Sequence, residues 1–160
     1  MIISDREELS KKLQKLRKEG KKIVFTNGCF DILHKGHVIY LSQAKKLGDV
    51  LVVGINSDQS VKKLKGESRP IISLESRMIV LDSLKVVDFV VPFSEDLPIE
   101  LLKVVHPDVH VKGGDYKATQ LPEYQTVKEL GGNVKIIPFV GGFSVTSIIE
   151  KIQSKGRMGI

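Results

Sequence analysis

Two histidines, His34 and His37, stand three residues apart with Gly36 between them. They close the stretch Thr26-Asn27-Gly28-Cys29-Phe30-Asp31-Ile32-Leu33-His34-Lys35-Gly36-His37. Residues spaced by three share a face once the segment is helical. A helix start already offers unpaired N–H groups and a partial positive charge. Imidazole donors added at that point make a place for phosphate, and a glycine there lets a ligand approach the backbone closely. Histidine pairs also occur on ordinary surfaces, so the context has to carry the reading. Zinc fits the pair poorly, because no third ligand stands close by and the chain has one cysteine.

The elements that must position this pair can be read on either side of it. Ile23-Val24-Phe25 has the composition of a short buried strand. Val38, Leu41, Ala44 and Leu47 recur at helical spacing, and Gly48 supplies a stop. Upstream, Ser4-Asp5-Arg6-Glu7 reads as a capping box for a helix within residues 1–20, with Leu9, Leu13 and Leu16 on one face. The basic residues of that helix read as a solvated face.

Downstream, Val50 to Ile55 is a strand buried on both faces. Residues 58–70 are polar and basic, a short helix followed by a mobile loop. Ser73 caps a helix whose core stripe is Leu74, Met78, Leu81 and Leu84, with Arg77 off the stripe. A third strand runs from Val86 to Val91 and is closed by Pro92. Helices through Leu101, Leu102 and Val105, and from Pro122 through Val127 and Leu130, alternate with strands at Val109–Val111 and Val134–Val140. A last helix runs through Ile148, Ile149 and Ile152, and the tail 154–160 frays. The alternation of Val/Ile-rich strands with helices across short connections predicts an α/β protein, with helices on both faces of a mostly parallel five-stranded sheet. No linker, repeat or low-complexity block divides the chain, so residues 1–160 form a single domain. No G-x-G-x-x-G follows the first strand, which argues against a dinucleotide fingerprint.

The chain has 160 residues, enough to bury a proper core, and a net charge of +6 with 25 Lys and Arg against 19 Asp and Glu. A basic balance favours anionic partners without naming them. Aromatics make up 6% with no Trp, which argues against a stacking surface for single strands. A single cysteine excludes an internal disulfide framework. Nothing resembles a signal peptide and no apolar run is long enough to span a bilayer. A soluble cytoplasmic protein is expected.

Ligands of open parallel sheets bind at the carboxyl ends of the strands. The segments placed there are 26–37, 56–58, 112–116 and 141–147. Gly113 and Gly114 let backbone approach a base or ribose, and Ser144 and Thr146 at a helix start suit phosphate. Singly, a glycine pair is often just a turn and Ser144 just a cap. Together with the histidines they make the set a nucleotide site requires.

Phe-Asp-Ile-Leu-His-Lys-Gly-His resembles the HxGH signature of the nucleotidyltransferase superfamily that includes the cytidylyltransferases and the class I aminoacyl-tRNA synthetases. Thr26-Asn27-Gly28-Cys29-Phe30-Asp31 is most similar to the D-glycero-β-D-manno-heptose 1-phosphate adenylyltransferases. The resemblance extends from Ile23 to Ile152 and takes in Asn56-Ser57-Asp58, Leu64-Lys65-Gly66, Arg69-Pro70 and Glu75-Ser76-Arg77-Met78. It continues through Lys112-Gly113-Gly114-Asp115-Tyr116 and Ser144-Val145-Thr146-Ser147. Two positions depart from it: Val145 replaces a hydroxyl residue, and Phe143 stands where Cys or Ile is usual.

The resemblance implies a Rossmann-like three-layer α/β/α fold and transfer of AMP from ATP to a sugar 1-phosphate. It implies His34, His37, Lys65 and Arg77 as catalytic residues. Asn27, Gly28, Cys29, Phe30, Asp31, Gly36, Lys112, Gly113, Gly114, Asp115, Tyr116, Ser144, Val145, Thr146 and Ser147 would bind nucleotide. Asp58, Lys65 and Arg69 are candidates for the acceptor phosphate, and Asp31 is the candidate ligand for Mg2+. Cys29 has no nucleophilic role in this scheme and reads as a small residue under the loop.

In bifunctional relatives the module is fused to a sugar kinase, so a stand-alone transferase is expected here. The expected partners are ATP and a sugar phosphate, with no nucleic acid and no membrane, and a homodimer is possible. The rivals are a CTP-dependent cytidylyltransferase acting on glycerol 3-phosphate or a similar alcohol, and a nucleotide- or RNA-binding module without turnover.

Overall fold

The computed structural model describes residues 1–138 and 144–156. Five strands form one sheet: β1 (Ile23–Gly28), β2 (Val50–Asn56), β3 (Phe89–Phe93), β4 (Val109–Gly113) and β5 (Asn133–Ile137). Their order is β3-β2-β1-β4-β5, and every pairing is parallel. The order reverses at β1: the chain steps outward from β1 to β2 and β3, then crosses back through α5 (Ile99–Val105) to lay β4 and β5 on the other side of β1. That is where an open sheet leaves a crevice for ligand.

Alternation along the strands explains why both faces are covered. Ile23 and Phe25 of β1, with Val50 and Val52 of β2, pack with Leu9 and Leu13 of α1 (Arg6–Lys18), Leu101, Leu102 and Val105 of α5 (Ile99–Val105) and Val127 of α6 (Tyr124–Glu129). Val24, Leu51, Val53 and Ile55 point the other way, against Leu41 and Ala44 of α2 (Lys35–Lys45) and Leu81 of α4 (Leu74–Asp82). Each fully buried side chain of this size contributes roughly 1.5–3 kcal/mol. Gly54 is required in β2, because a Cβ there would lie 2.9 Å from the Phe25 ring and 3.1 Å from Leu101. The remaining helices are α3 (Asp58–Lys65) and α7 (Val145–Gly156).

Several local expectations are corrected. The cap of α1 is Asp5 rather than Ser4: its Oδ1 accepts from Glu7 N at 2.7 Å and Glu8 N at 3.0 Å. The third strand begins at Phe89 and runs past Pro92 to Phe93. Asp88 stands before it as a cap, accepting from Leu51 N at 2.6 Å and Lys45 Nζ at 2.5 Å. Proline is tolerated in β3 because that strand is at the sheet edge, where a missing N–H costs no ladder bond. Val38 is 39% exposed and does not share the core face of Leu41 and Ala44. At the end of the chain, Ile152 is 63% exposed rather than packed, and α7 continues through Ser154 and Lys155 to Gly156. The expected extension of the fifth strand to Val140, and the Gly141-Gly142-Phe143 segment, lie outside the described residues.

Candidate active site

A cavity of about 1100 Å³ opens at the carboxyl ends of the strands. Its walls are the loop after β1, the ends of β2 and β4, the segment after α3, and the start of α7. Asn27, Gly28, Cys29, Phe30, Asp31, His34, Gly36 and His37 all line it, as do Lys65, Arg69, Lys112, Gly113, Tyr116, Ser144, Val145, Thr146 and Ser147. Gly114, Asp115, Asp58 and Arg77 do not.

His34 is the N-cap of α2, in extended conformation, and its Nδ1 accepts from Gly36 N at 3.1 Å. A ring nitrogen that accepts carries no proton, so the proton of neutral His34 is on Nε2, which is a donor. The ring stacks on His37 at 3.9 Å between centroids, 28° from parallel. His37 in turn packs at 5.4 Å against Phe30, a residue held at a positive φ of 47°. A bulky side chain in that region is strained, and its burial in the core under α2 holds it there. Burial, and then the neighbouring His34, push His37 down to about 4, and burial also lowers His34. Both imidazoles are therefore neutral donors and acceptors at neutral pH. The Nδ1 atom of His37 is buried with no hydrogen-bond partner among the described residues.

Asp31 is fully buried and its carboxylate is taken up by protein donors. Arg69 Nε donates at 2.5 Å, Ile71 N at 2.8 Å and Ile72 N at 2.9 Å. Burial opposes its charge, but the Ile71 and Ile72 N–H groups and then Arg69 outweigh it and hold the carboxyl below its usual range. Through these donors Asp31, the expected metal ligand, latches the segment before α4 to the histidine loop. No group of three or more His, Cys, Asp or Glu among the described residues forms a metal cluster. Arg69, expected at the acceptor phosphate, lines the cavity while spending its Nε on Asp31.

Arg77 departs furthest from expectation. It lies on the core side of α4 and is 2% exposed. Nε donates to Ile72 O at 3.0 Å, Nη1 to Cys29 O at 2.5 Å, and Nη2 to Asn56 O at 2.9 Å and Asp58 Oδ1 at 2.7 Å. The guanidinium thus binds the ends of β1 and β2 together, and Arg77, expected among the catalytic residues, does not line the cavity. Asp58, expected near the acceptor phosphate, is its ion-pair partner. Cys29 sits between these cations; burial raises its thiol, while Lys65, Arg77 and Arg69 act in the opposite direction.

Across the cavity, Lys112 Nζ donates to Asn27 Oδ1 at 3.2 Å and lies 3.5 Å from Glu123 Oε1. Tyr116 folds back, its hydroxyl donating to Gly113 O at 3.0 Å, and a side chain at Gly114 would collide with its ring. That close approach accounts for the second glycine of the pair. Ser144 Oγ accepts from Ser147 N at 3.0 Å as the cap of α7, and Ser147 Oγ donates to Ser144 O at 2.8 Å. Asn56, within the expected segment 56–58, lines the cavity; sequence reasoning missed Tyr40, Asp96, Leu97, Pro98, Leu121, Pro122, Glu123 and Pro138 as wall residues. Tyr40 could have been found: it follows His37 by three, on the same helix face, and its hydroxyl meets Thr26 Oγ1 at 2.7 Å.

The cytidylyltransferase-like family model matches residues 25–155. The chain is 55% identical over 153 residues to the bifunctional protein HldE of Nitratiruptor sp., covering 96% of this chain and 32% of that one. It is 53% identical to the HldE of Actinobacillus pleuropneumoniae, covering 92% and 31%. It therefore spans about a third of the length of these relatives. A lipopolysaccharide core biosynthesis protein from Thermoplasma volcanium superposes with a TM-score of 0.63 at 35% identity, covering 76% of this chain and 98% of that one. Pantoate-beta-alanine ligase from Francisella tularensis superposes with a TM-score of 0.61 at 21% identity, covering 86% and 66%, a likeness of fold alone. With the histidine pair at the switch point of a parallel sheet and a family match across most of its length, this chain belongs to the cytidylyltransferase-like nucleotidyltransferases.

Proposed function

We propose that the chain transfers AMP from ATP to D-glycero-β-D-manno-heptose 1-phosphate, giving ADP-heptose and pyrophosphate. The observation that carries the reading is the stacked His34–His37 pair at the start of α2, on the wall of a cavity of about 1100 Å³. A phosphate oxygen of the sugar attacks the α-phosphorus of ATP, and the bond from that phosphorus to the bridging oxygen of pyrophosphate breaks. The attacking oxygen is already ionised, so no general base is needed. The site supplies alignment and donors aimed at the charge that grows on phosphorus and pyrophosphate.

In this scheme His34 donates through Nε2, and the neutral His37 donates to the same phosphates. A bound triphosphate also favours the protonated form of an adjacent imidazole. Lys65, at the end of α3 on the cavity wall, supplies mobile positive charge that closes over the ligand. Arg69 faces the acceptor phosphate with the nitrogens that Asp31 leaves over. Mg2+ arrives with ATP, as part of the substrate. The work is cytoplasmic and needs neither nucleic acid nor membrane; no described helix is long and apolar enough to cross one.

ATP rather than CTP is supported by the Lys112-Gly113-Gly114-Asp115-Tyr116 run and by the HldE relatives. A sugar acceptor is supported by the lipopolysaccharide core biosynthesis protein among the structural relatives. Pyrophosphate release measured with ATP and CTP against phosphorylated sugars and alcohols tests the reading. ATP with heptose 1-phosphate is expected to be the best pair, and equal or better turnover with CTP and glycerol 3-phosphate overturns it.

A further inference from the structure

Beside the cavity lies a buried charged cluster that the mechanism above does not use. His110 of β4 is fully buried, stacked on Phe25 at 5.4 Å, with Nε2 at 3.2 Å from Glu123 Oε1. Glu123, whose side chain is 3% exposed, stands as the N-cap of α6 and lies 3.5 Å from Lys112 Nζ. Lys112 then reaches Asn27 Oδ1 at 3.2 Å, across to the histidine loop. A buried carboxylate is out of place in the wall of a site meant for phosphates, since it repels them. It stays ionised: burial opposes its charge, but His110, and then Lys112, hold Glu123 down to about 2.

We propose that Glu123, oriented by His110, is a positioning residue that holds the Lys112 ammonium where it meets the anionic part of ATP; the proposal rests on the adenylyl-transfer reading. Of the three donors of the ammonium, one goes to Asn27 Oδ1, and the Glu123 carboxylate stands 3.5 Å away as its counter-charge. The hydrogen bond and the ion pair together fix where the ammonium sits, and Lys112 lines the cavity with donors left over. A long flexible side chain loses rotamer freedom when it binds an anion; fixing it beforehand removes that cost at the moment of binding. The carboxylate also offsets the loss of water around an ammonium that is only 21% exposed. His110 is the neutral donor that keeps Oε1 of Glu123 turned toward Lys112, because burial lowers its tendency to hold a second proton.

A double-mutant cycle on ATP affinity tests this, with melting temperature measured on the same samples. Glu123→Gln is expected to weaken ATP binding by about tenfold, and Lys112→Met by about tenfold or more, as for loss of a charge-assisted hydrogen bond. If Glu123 acts through Lys112, adding Glu123→Gln to Lys112→Met weakens ATP no further. A role confined to packing lowers melting temperature and leaves ATP affinity alone. Should Glu123→Gln fail to fold, His110→Phe replaces it in the same cycle; it keeps a ring against Phe25 and removes the donor to Glu123. ATP affinity unchanged in the single variant, or two losses that add in full, overturns the proposal. Wild-type protein that binds ATP yet releases no pyrophosphate with any acceptor refutes adenylyl transfer, while the cycle still decides the role of Glu123. Wild-type protein that does not bind ATP overturns both.

Discussion

The loop from Thr26 to His37 and the first turn of α4 both bring nitrogen-rich side chains to the carboxyl end of the sheet, and they point opposite ways. His34 and His37 stack on the cavity wall, and His37 keeps a buried Nδ1 without a partner among the described residues. Arg77 turns inward and gives its donors to Ile72, Cys29, Asn56 and Asp58. A guanidinium suits phosphate as well as an imidazole does. What separates the two regions is whether the protein itself has already consumed the donors. One region is built to hold the strand ends in place, the other to meet a ligand between them. Asp31 ties the two together, since it belongs to the histidine loop and grips Ile71 and Ile72 just ahead of α4.

The inward-facing region breaks first. Arg77→Met removes a buried charge and leaves the carbonyls of Cys29, Asn56 and Ile72 without that donor, at roughly 1–3 kcal/mol per unsatisfied group. The expected result is a fall in melting temperature on the order of 10 °C, with turnover per folded molecule reduced far less. Thermal denaturation beside initial rates checks it. Full stability together with loss of turnover would instead place Arg77 on the ligand.

A smaller effect is expected where the regions join. Asp31→Asn keeps the shape of the latch but offers one acceptor where two oxygens now receive three donors. Stability is expected to fall by about 1–3 kcal/mol. The KM for the acceptor is expected to rise more than the KM for ATP, because Arg69 loses its anchor. Equal changes in both constants would show that Asp31 does not set the acceptor side.

The smallest effect is on the cavity-facing region itself, through pH. Free histidine titrates near 6.5 and folded His37 near 4, so between those values the unfolded chain holds more protons. The contribution of His37 to stability is therefore full above about 6.5 and lost as pH falls toward about 4. His34 and His110 are lowered in the same sense and add to that loss. Asp31 and Glu123, both depressed, extend the decline to lower pH. Melting curves from about pH 8 to about pH 4 are expected to fall across this window, with a shallower slope for His37→Asn. A melting temperature indifferent to pH between about 7 and 4.5 contradicts the assignment.

The strand and helix order was legible because strands buried on both faces must be nearly all Val, Ile and Leu, as β2 is. The histidine loop was legible because its elements are adjacent in the chain. Arg77 was misread through its type. Leu74, Arg77, Met78 and Leu81 share one helix face by spacing, and only the expectation that charge points outward hid it. The latch of Asp31 onto Ile71 spans 40 residues and the His110–Glu123 pair spans 13. No local pattern announces such contacts, since only the folded sheet brings the partners together. The third strand was placed three residues early because Val86 and Val87 carry strand propensity, while Asp88 caps the strand from outside.

The central claim is that the histidine pair acts on phosphate in the transition state rather than packing the loop. Turnover and melting temperature of His37→Ala, measured on the same samples, test it most directly. Loss of one preorganised donor is expected to lower kcat by about 10²–10³, with ATP binding modestly weakened and melting temperature close to that of the unsubstituted protein. His37→Asn, whose amide still donates, is expected to recover part of the rate. A His37→Ala protein that is well folded and turns over normally would contradict the account.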